Sequence, residues 1–203
     1  MLNNSAISQL LESCDLSEAL LIAPKPDAQT ISQTGAASID LRLGTWFITT
    51  RLSRHALMDI YSKNDDYPTE ENVTTKHYVP FGKKFILHPG SFVLAATLEW
   101  IRMPNRYAGY VTGKSSWGRR GLIIETASGV HPGFTGCLTL ELANVGEVPI
   151  AIMPGTKICQ LFLHKLEGAN FTASNSLFNA RRQPRLGQIQ LDDFAEKLFI
   201  LEE

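Results

Sequence analysis

The feature that most restricts how this chain can fold is a succession of short apolar runs cut by turn residues at near-regular spacing. The cuts are His88-Pro-Gly, Met103-Pro-Asn, His131-Pro-Gly, Asn144-Val-Gly and Met153-Pro-Gly. Proline fixes φ and glycine accepts conformations other residues avoid, so each triplet halts a regular element. The runs between them, Lys84 to Leu87, Phe92 to Ala96, Tyr107 to Thr112, Leu122 to Glu125, Ile150 to Ile152 and Ile158 to Leu163, lie between those signals and are too short for helices. They read as strands. Ser38 to Gly44 and Thr135 to Asn144 alternate apolar and polar residues, the pattern of a strand with one buried face. Many short strands in series predict a mainly-β fold: a sandwich, a jelly roll or a small barrel.

The ends differ. Ile7, Leu10, Leu11, Leu16, Leu20 and Leu21 fall at helical spacings, which predicts one amphipathic helix or two short ones over Ser5 to Leu21. Ser62 to Thr75 is polar and reads as a surface excursion. After Lys165 the composition turns to Asn, Ser, Ala and Arg, then closes with a short helical pattern from Asp192 to Leu201. We expect a β domain over residues 1–170 and a polar arm over 171–203.

A chain of 203 residues is long enough for one well-filled core. Its net charge of −1 gives no global field for nucleic acid, so an anion site has to be built locally. The three cysteines, Cys14, Cys137 and Cys159, are scattered and lack a C-x-x-C pair, the pattern of reduced thiols in a cytoplasmic protein. Neither a basic leader with an apolar run nor a stretch of about 20 apolar residues is seen, so no membrane partner is expected.

Gly113-Lys-Ser-Ser-Trp-Gly-Arg-Arg-Gly-Leu contains the Gly-Lys-Ser of a phosphate-binding loop. A P-loop also needs a glycine where Ala108 stands; Gly109 is one residue too close. The glycines and β-branched residues that follow argue against the helix a P-loop requires. Ser115 and Ser116 beside Arg119 can instead donate to phosphate oxygens or a base carbonyl, or belong to a solvated basic turn. In Thr135 to Asn144, alternation puts Cys137, Thr139, Glu141 and Ala143 on one face. Glu141 is there either a solvated outer-face carboxylate or a general base among small side chains. His131 is a turn histidine without a nearby second one. None of the five histidines is followed two residues later by glutamate, which excludes the H-x-E signature of zinc nucleobase deaminases. No Gly-x-Ser-x-Gly elbow is present either.

Taken in order, Ala37-Ser-Ile-Asp-Leu-Arg-Leu, Leu87-His-Pro-Gly with Ala96-Thr-Leu-Glu, Gly113-Lys-Ser-Ser-Trp-Gly-Arg-Arg-Gly-Leu, Pro132-Gly-Phe-Thr-Gly-Cys-Leu-Thr-Leu-Glu, and Met153-Pro-Gly with Ile158-Cys-Gln-Leu resemble the dCTP deaminase family of the dUTPase-like superfamily. The resemblance spans roughly residues 1 to 165. It implies a distorted β-barrel or jelly roll of the dUTPase-like type, with an N-terminal helix and a C-terminal arm. It also implies a homotrimer whose active sites are shared between subunits, and a zinc-independent deamination with Mg2+ accompanying the triphosphate. By motif position Glu141 is the glutamate that activates water for attack on C4 of cytosine, with Ser115 and Arg119 lining the reaction centre. Lys114, Ser116, Ala127, His131 and Gln160 fall at nucleotide-binding positions. Arg181, Arg182 and Gln183 match triphosphate contacts of the family's basic lid.

The chain departs from the family pattern between Arg119 and Pro132, where it is one residue shorter. Val130-His131 replaces the usual Ile-Asp, and Ser128-Gly129 the usual His-Arg. The missing aspartate is the one that activates water at the phosphate in dUTPases, which disfavours a pure dUTPase. The expected reaction is dCTP to dUTP and ammonia. The alternatives are a bifunctional enzyme that goes on to dUMP, and a non-catalytic dNTP-binding regulator.

Overall fold

The first helix stops well short of the pattern that suggested it. In a computed structural model, which describes residues 1–27, 31, 37–51, 73–125, 129–168, 179–187, 192, 194 and 197, helix α1 covers Asn4–Glu12. Asn3 caps it, its side-chain oxygen accepting the Ala6 N–H at 2.9 Å. Ile7, Leu10 and Leu11 face the core. The Asp15 carboxylate then accepts the Ser17 N–H at 2.9 Å and its hydroxyl at 2.7 Å, a local turn that competes with helix. Leu16 is 66 % exposed, so it never belonged to the buried stripe.

The expected strands form, and two of them run far past their expected ends. The strands are β1 (Leu21–Ala23), β2 (Ser38–Thr50), β3 (Thr74–Tyr78), β4 (Phe85–Leu87), β5 (Phe92–Arg102), β6 (Tyr107–Gly113), β7 (Leu122–Glu125), β8 (Thr135–Asn144), β9 (Ile150–Ile152) and β10 (Lys157–Lys165). β1 and β3 were not anticipated. The expected polar excursion overlaps β3 at Thr74 and Thr75 and its Val73 is buried, against a surface reading; residues 62–72 lie outside the described residues. The expected C-terminal helix likewise falls almost wholly outside them.

The large sheet is antiparallel, in the order β6-β10-β2-β5-β8-β7. β2 and β5 are long because each carries an irregularity and changes partner across it. The register shifts between Leu43 and Phe47 of β2 and between Ala96 and Trp100 of β5. Beyond these points β3 takes over an edge of β2 and β1 an edge of β5. Gly44 is required there, because a Cβ would sit 2.8 Å from the Ala96 carbonyl oxygen. The sheet then curls until its ends meet. Gly109 and Val130 exchange both backbone hydrogen bonds, and a Cβ on Gly113 would lie 2.9 Å from Cβ of Ile124. Leu41, Leu43, Phe47, Val93, Ala95, Leu140, Leu142, Leu161 and Leu163 fill the interior. The separate β4–β9 pair is attached through Phe85, stacked on Phe47 at 4.6 Å. The result is the expected mainly-β, nearly closed barrel with an N-terminal helix.

One expectation is corrected locally. The glycines and β-branched residues after Lys114 do not abolish helix; they limit it to a single turn, α2 (Ser115–Gly118). Gly121, at φ +86°, turns the chain into β7.

Candidate functional site

The loop that carries Lys114, Ser115, Ser116 and Arg119 is built as an extension of the barrel wall. β10 lies between β6 and β2, so the end of β6 is delivered beside the start of β10. The Lys114 N–H donates to the Ile158 carbonyl at 3.0 Å, and the Trp117 indole N–H to the Lys157 carbonyl at 3.1 Å. These bonds hold the base of α2 against β10 while its other side packs on β7. Ser115, Ser116 and Arg119 are left exposed to solvent, and Arg120 folds back to donate to the Ser116 carbonyl. Two hydroxyls and a guanidinium on one short turn can bind anionic oxygens.

Beneath the loop lies a carboxylate that sequence reasoning passed over. Asp40 of β2 accepts Lys114 Nζ on Oδ1 at 2.6 Å, and its Oδ2 pairs with Lys157 Nζ at 3.2 Å. Gln160 Nε2 donates to the same Oδ1 at 3.3 Å and to Ser38 Oγ at 3.2 Å. Burial alone would raise the Asp40 pKa. The hydrogen bonds and charges of Lys114 and Lys157 outweigh it and hold the carboxyl below its ordinary value of 3.8. The structure thus gathers Lys114 and Gln160 around Asp40. The signal was available: the alternation of Ser38-Ile-Asp-Leu-Arg puts Ser38, Asp40 and Arg42 on one face.

A second missed carboxylate is Glu99, 1 % exposed, set in the otherwise nearly apolar run of β5. It fills the irregularity in that strand. One oxygen accepts the Arg42 backbone N–H at 2.8 Å, and the other the Arg42 guanidinium at 2.9 Å. Next to it Thr97 Oγ1 donates to the Glu99 carbonyl and accepts the Leu138 N–H, both at 2.9 Å. Side chains here replace the ladder bonds that the register shift removes.

Glu141 stands in the middle of β8, half-buried, on the face read from the sequence: Leu138, Leu140 and Leu142 point to the core. Its cross-strand partners are Leu94 on β5 and Glu125 on β7. β7 therefore separates Glu141 from β6 and α2. Among the described residues, no hydrogen bond or ion pair links Glu141 to Ser115 or Arg119. His131 is exposed, in the turn that follows the Gly109–Val130 bridge. Ala127 lies outside the described residues.

Arg181, Arg182 and Gln183 are exposed on a segment laid along the start of β8. The Ala180 N–H donates to the Thr135 carbonyl at 2.6 Å and the Cys137 N–H to the Arg181 carbonyl at 2.8 Å. The Arg182 guanidinium sits 5.0 Å from the centre of the Trp100 ring. Cys137 lies close by. Burial pushes its thiol up to about 11, with Arg182 pulling it down and Glu99 adding to the rise. Burial likewise pushes Cys159 up to about 12. Both thiols are thereby held protonated at neutral pH, which disfavours a nucleophilic role. Among the described residues no group of three His, Cys, Asp or Glu side chains is placed to hold a metal ion. No helix there is long and apolar enough to cross a membrane.

Comparison with known proteins agrees with the fold. A family model described as dCTP deaminase-like matches residues 1–166. A protein of Dictyoglomus turgidum named dCTP deaminase, dUMP-forming, is 34 % identical over 200 residues, covering 95 % of this chain and 96 % of its own. A Corynebacterium jeikeium protein of the same name is 46 % identical over 128 residues, 63 % of this chain and 65 % of its own. In fold, the crystal structure of 2'-deoxycytidine 5'-triphosphate deaminase from Agrobacterium tumefaciens matches with a TM-score of 0.56 at 22 % identity. That match covers 80 % of this chain, which spans about half the length of the other (47 %). With its barrel, its Ser-Ser-Trp turn and its Leu-Glu-Leu strand in place, the chain belongs to the dCTP deaminase-like family.

Proposed function

We propose that this protein deaminates dCTP and carries the product on to dUMP. Water attacks C4 of the cytosine, the exocyclic amine leaves as ammonia and C4 becomes a carbonyl; a second water cleaves the triphosphate to dUMP and pyrophosphate. Similarity over nearly the full length to relatives named dUMP-forming carries this reading. It therefore displaces the expectation that dUTP is the end product. Release of dUTP remains the second reading, favoured by His131 standing where the resemblance leads one to expect an aspartate.

In this reading Glu141 takes the proton of the attacking water and passes protons to the leaving ammonia. A positioned base of this kind contributes about 10²- to 10⁴-fold. Arg119 and Ser115 donate to the charge that develops on the base and hold the water. Ser116, Ala127 and His131 serve as nucleotide-binding positions, and Arg181, Arg182 and Gln183 contact the triphosphate. Since β7 stands between Glu141 and α2 within one chain, a homotrimer that shares its sites would let a neighbour supply the missing half. This reading calls for Mg2+ with the triphosphate, where it would offset phosphate charge, and for no zinc. The enzyme works in the cytoplasm on free nucleotide.

The test is to incubate the protein with magnesium and dCTP, separate products by chromatography and assay ammonia, with Glu141→Gln alongside. Expected are dUMP, pyrophosphate and ammonia, with ammonia release at least about a hundredfold slower in the variant. Accumulating dUTP would select the second reading. Intact nucleotide binding without ammonia would overturn the deaminase.

A further inference from the structure

We infer that Glu125 sets the base specificity of the proposed deaminase site: its carboxylate accepts a hydrogen bond from the exocyclic amine of cytosine and repels the carbonyl that uracil carries in its place. The inference rests on the proposed function and adds a residue to that site.

The register of the sheet brings Glu125 to Glu141. Glu125 of β7 is the cross-strand partner of Glu141 of β8, and Leu94 of β5 lies on the other side of Glu141. Directly opposed residues of an antiparallel pair share a face, with Cβ atoms about 4.5–5.5 Å apart. Burial agrees: Leu122 and Ile124 point inward, whereas Ile123 and Glu125 are exposed on the outer face, where Glu141 also stands. The next row of that face runs Ile123, Ala143 and Phe92, with Ile123 40 % and Phe92 45 % exposed. Two carboxylates thus border an apolar shelf, the kind of surface against which a flat ring is held while a few polar groups fix its orientation. The fold gains nothing from the pair. Like charges directly opposite each other on a sheet are destabilising. Among the described residues no ion pair or side-chain hydrogen bond offsets either carboxylate.

The chemistry of the base fits this placement. The amine of cytosine is bonded to C4, so a ring whose C4 meets the water activated by Glu141 brings its amine within reach of the neighbouring carboxylate. An ionised carboxylate only accepts hydrogen bonds. Cytosine presents a donor at this position, and uracil and thymine present an acceptor. One side chain therefore attracts the substrate and opposes the product base. The amine held by Glu125 is also the group that departs, so the contact ends as ammonia leaves.

The experiment measures base selectivity in the wild type, Glu125→Gln, Glu125→Ser and Glu125→Asp. Affinity for the α,β-imido analogue of dUTP, which lacks the amine and is not cleaved, is read by calorimetry, and KM for dCTP from ammonia release. Glu125→Gln gains a donor and Glu125→Ser loses the charge, so each should shift the ratio of the two constants toward the dUTP analogue by about tenfold. Glu125→Asp keeps the charge and should keep the wild-type preference. A structural role would lower the urea midpoint of Glu125→Gln, whereas loss of the like-charge pair should leave it equal or higher. A ratio that moves by less than about threefold in both uncharged variants overturns the inference. That result includes equal tightening of both nucleotides, which would mean only that the negative charge repels the triphosphate. A wild type that releases no ammonia would sink the proposed function; the α,β-imido analogues of dUTP and dCTP, compared by calorimetry, would then decide the inference separately.

Discussion

Glu99→Ala tests the clearest energetic claim in the fold. The Glu99 carboxylate is 1 % exposed and accepts two hydrogen bonds from Arg42, one from its guanidinium and one from its backbone N–H. Removing one partner of a buried ion pair typically costs about 3–5 kcal/mol. The Arg42 side chain is 37 % exposed and can recover water, which puts the expected loss at the low end, about 3 kcal/mol. For a chain of this length each kcal/mol moves Tm by about 2–4 °C, so a fall of about 6–12 °C is expected. Glu99→Gln keeps an acceptor for the backbone N–H and should lose only about 1–2 kcal/mol. The decisive variant is Glu99→Leu with Arg42→Leu. Replacing both members of an ordinary buried pair by apolar residues is close to neutral. Here the Arg42 backbone N–H survives any side-chain change and would be left unpaired, so the double variant should still be destabilised by about 2 kcal/mol. Urea unfolding with an unchanged m-value measures this. A double variant within about 0.5 kcal/mol of the wild type would refute the role assigned to that backbone bond.

Three further outcomes are expected. Asn144, 1 % exposed, donates to the carbonyls of Leu87 and Val148 and accepts the Gly146 N–H; Asn144→Ala should cost about 2–4 kcal/mol, read from the urea midpoint. Of the three thiols only Cys14 is exposed, so a thiol-specific chromogenic disulfide at pH 7.5 should label one site quickly and Cys137 and Cys159 only on unfolding. The folded pKa values of Cys137 and Cys159, about 11 and about 12, lie above the unfolded value of 9.0. Their contribution to stability is therefore full below pH 9 and is lost as pH rises through the folded values, a decline that Cys159→Ala should lessen.

Much of the barrel was legible because its information is local. Thr135 to Asn144 alternates without interruption, and β8 has the expected bounds. The extensions of β2 and β5 were not legible, because bulges break the period: past Gly44 and Thr97 the faces are set by neighbouring strands and by the Glu99 carboxylate. The α1 pattern overran because Leu16 matches the spacing while Asp15 and Ser17 favour a turn. At the site, Ser115, Ser116 and Arg119 do share one exposed turn. Asp40 escaped notice because its meaning depends on Lys114 and Lys157, which reach it only after β10 has inserted between β2 and β6. Glu99 was missed for the same kind of reason: its partner Arg42 reaches it only across the irregular part of β5.

The strand order also dictates when this molecule can become itself. β10 is the strip between β2 and β6, and the hydrogen bond from Gln160 to Ser38 joins residues 122 positions apart. Until that strip is in hand, β2 and β6 each present a bare edge, although β2–β3 and β7–β8 can pair between near neighbours. Closing such distant contacts carries the loop entropy of everything between, so the barrel should assemble late and slowly, with β10 acting as the keystone. During synthesis most of the chain would wait with its edges open, exposed to pairing with other copies, for a segment of nine residues.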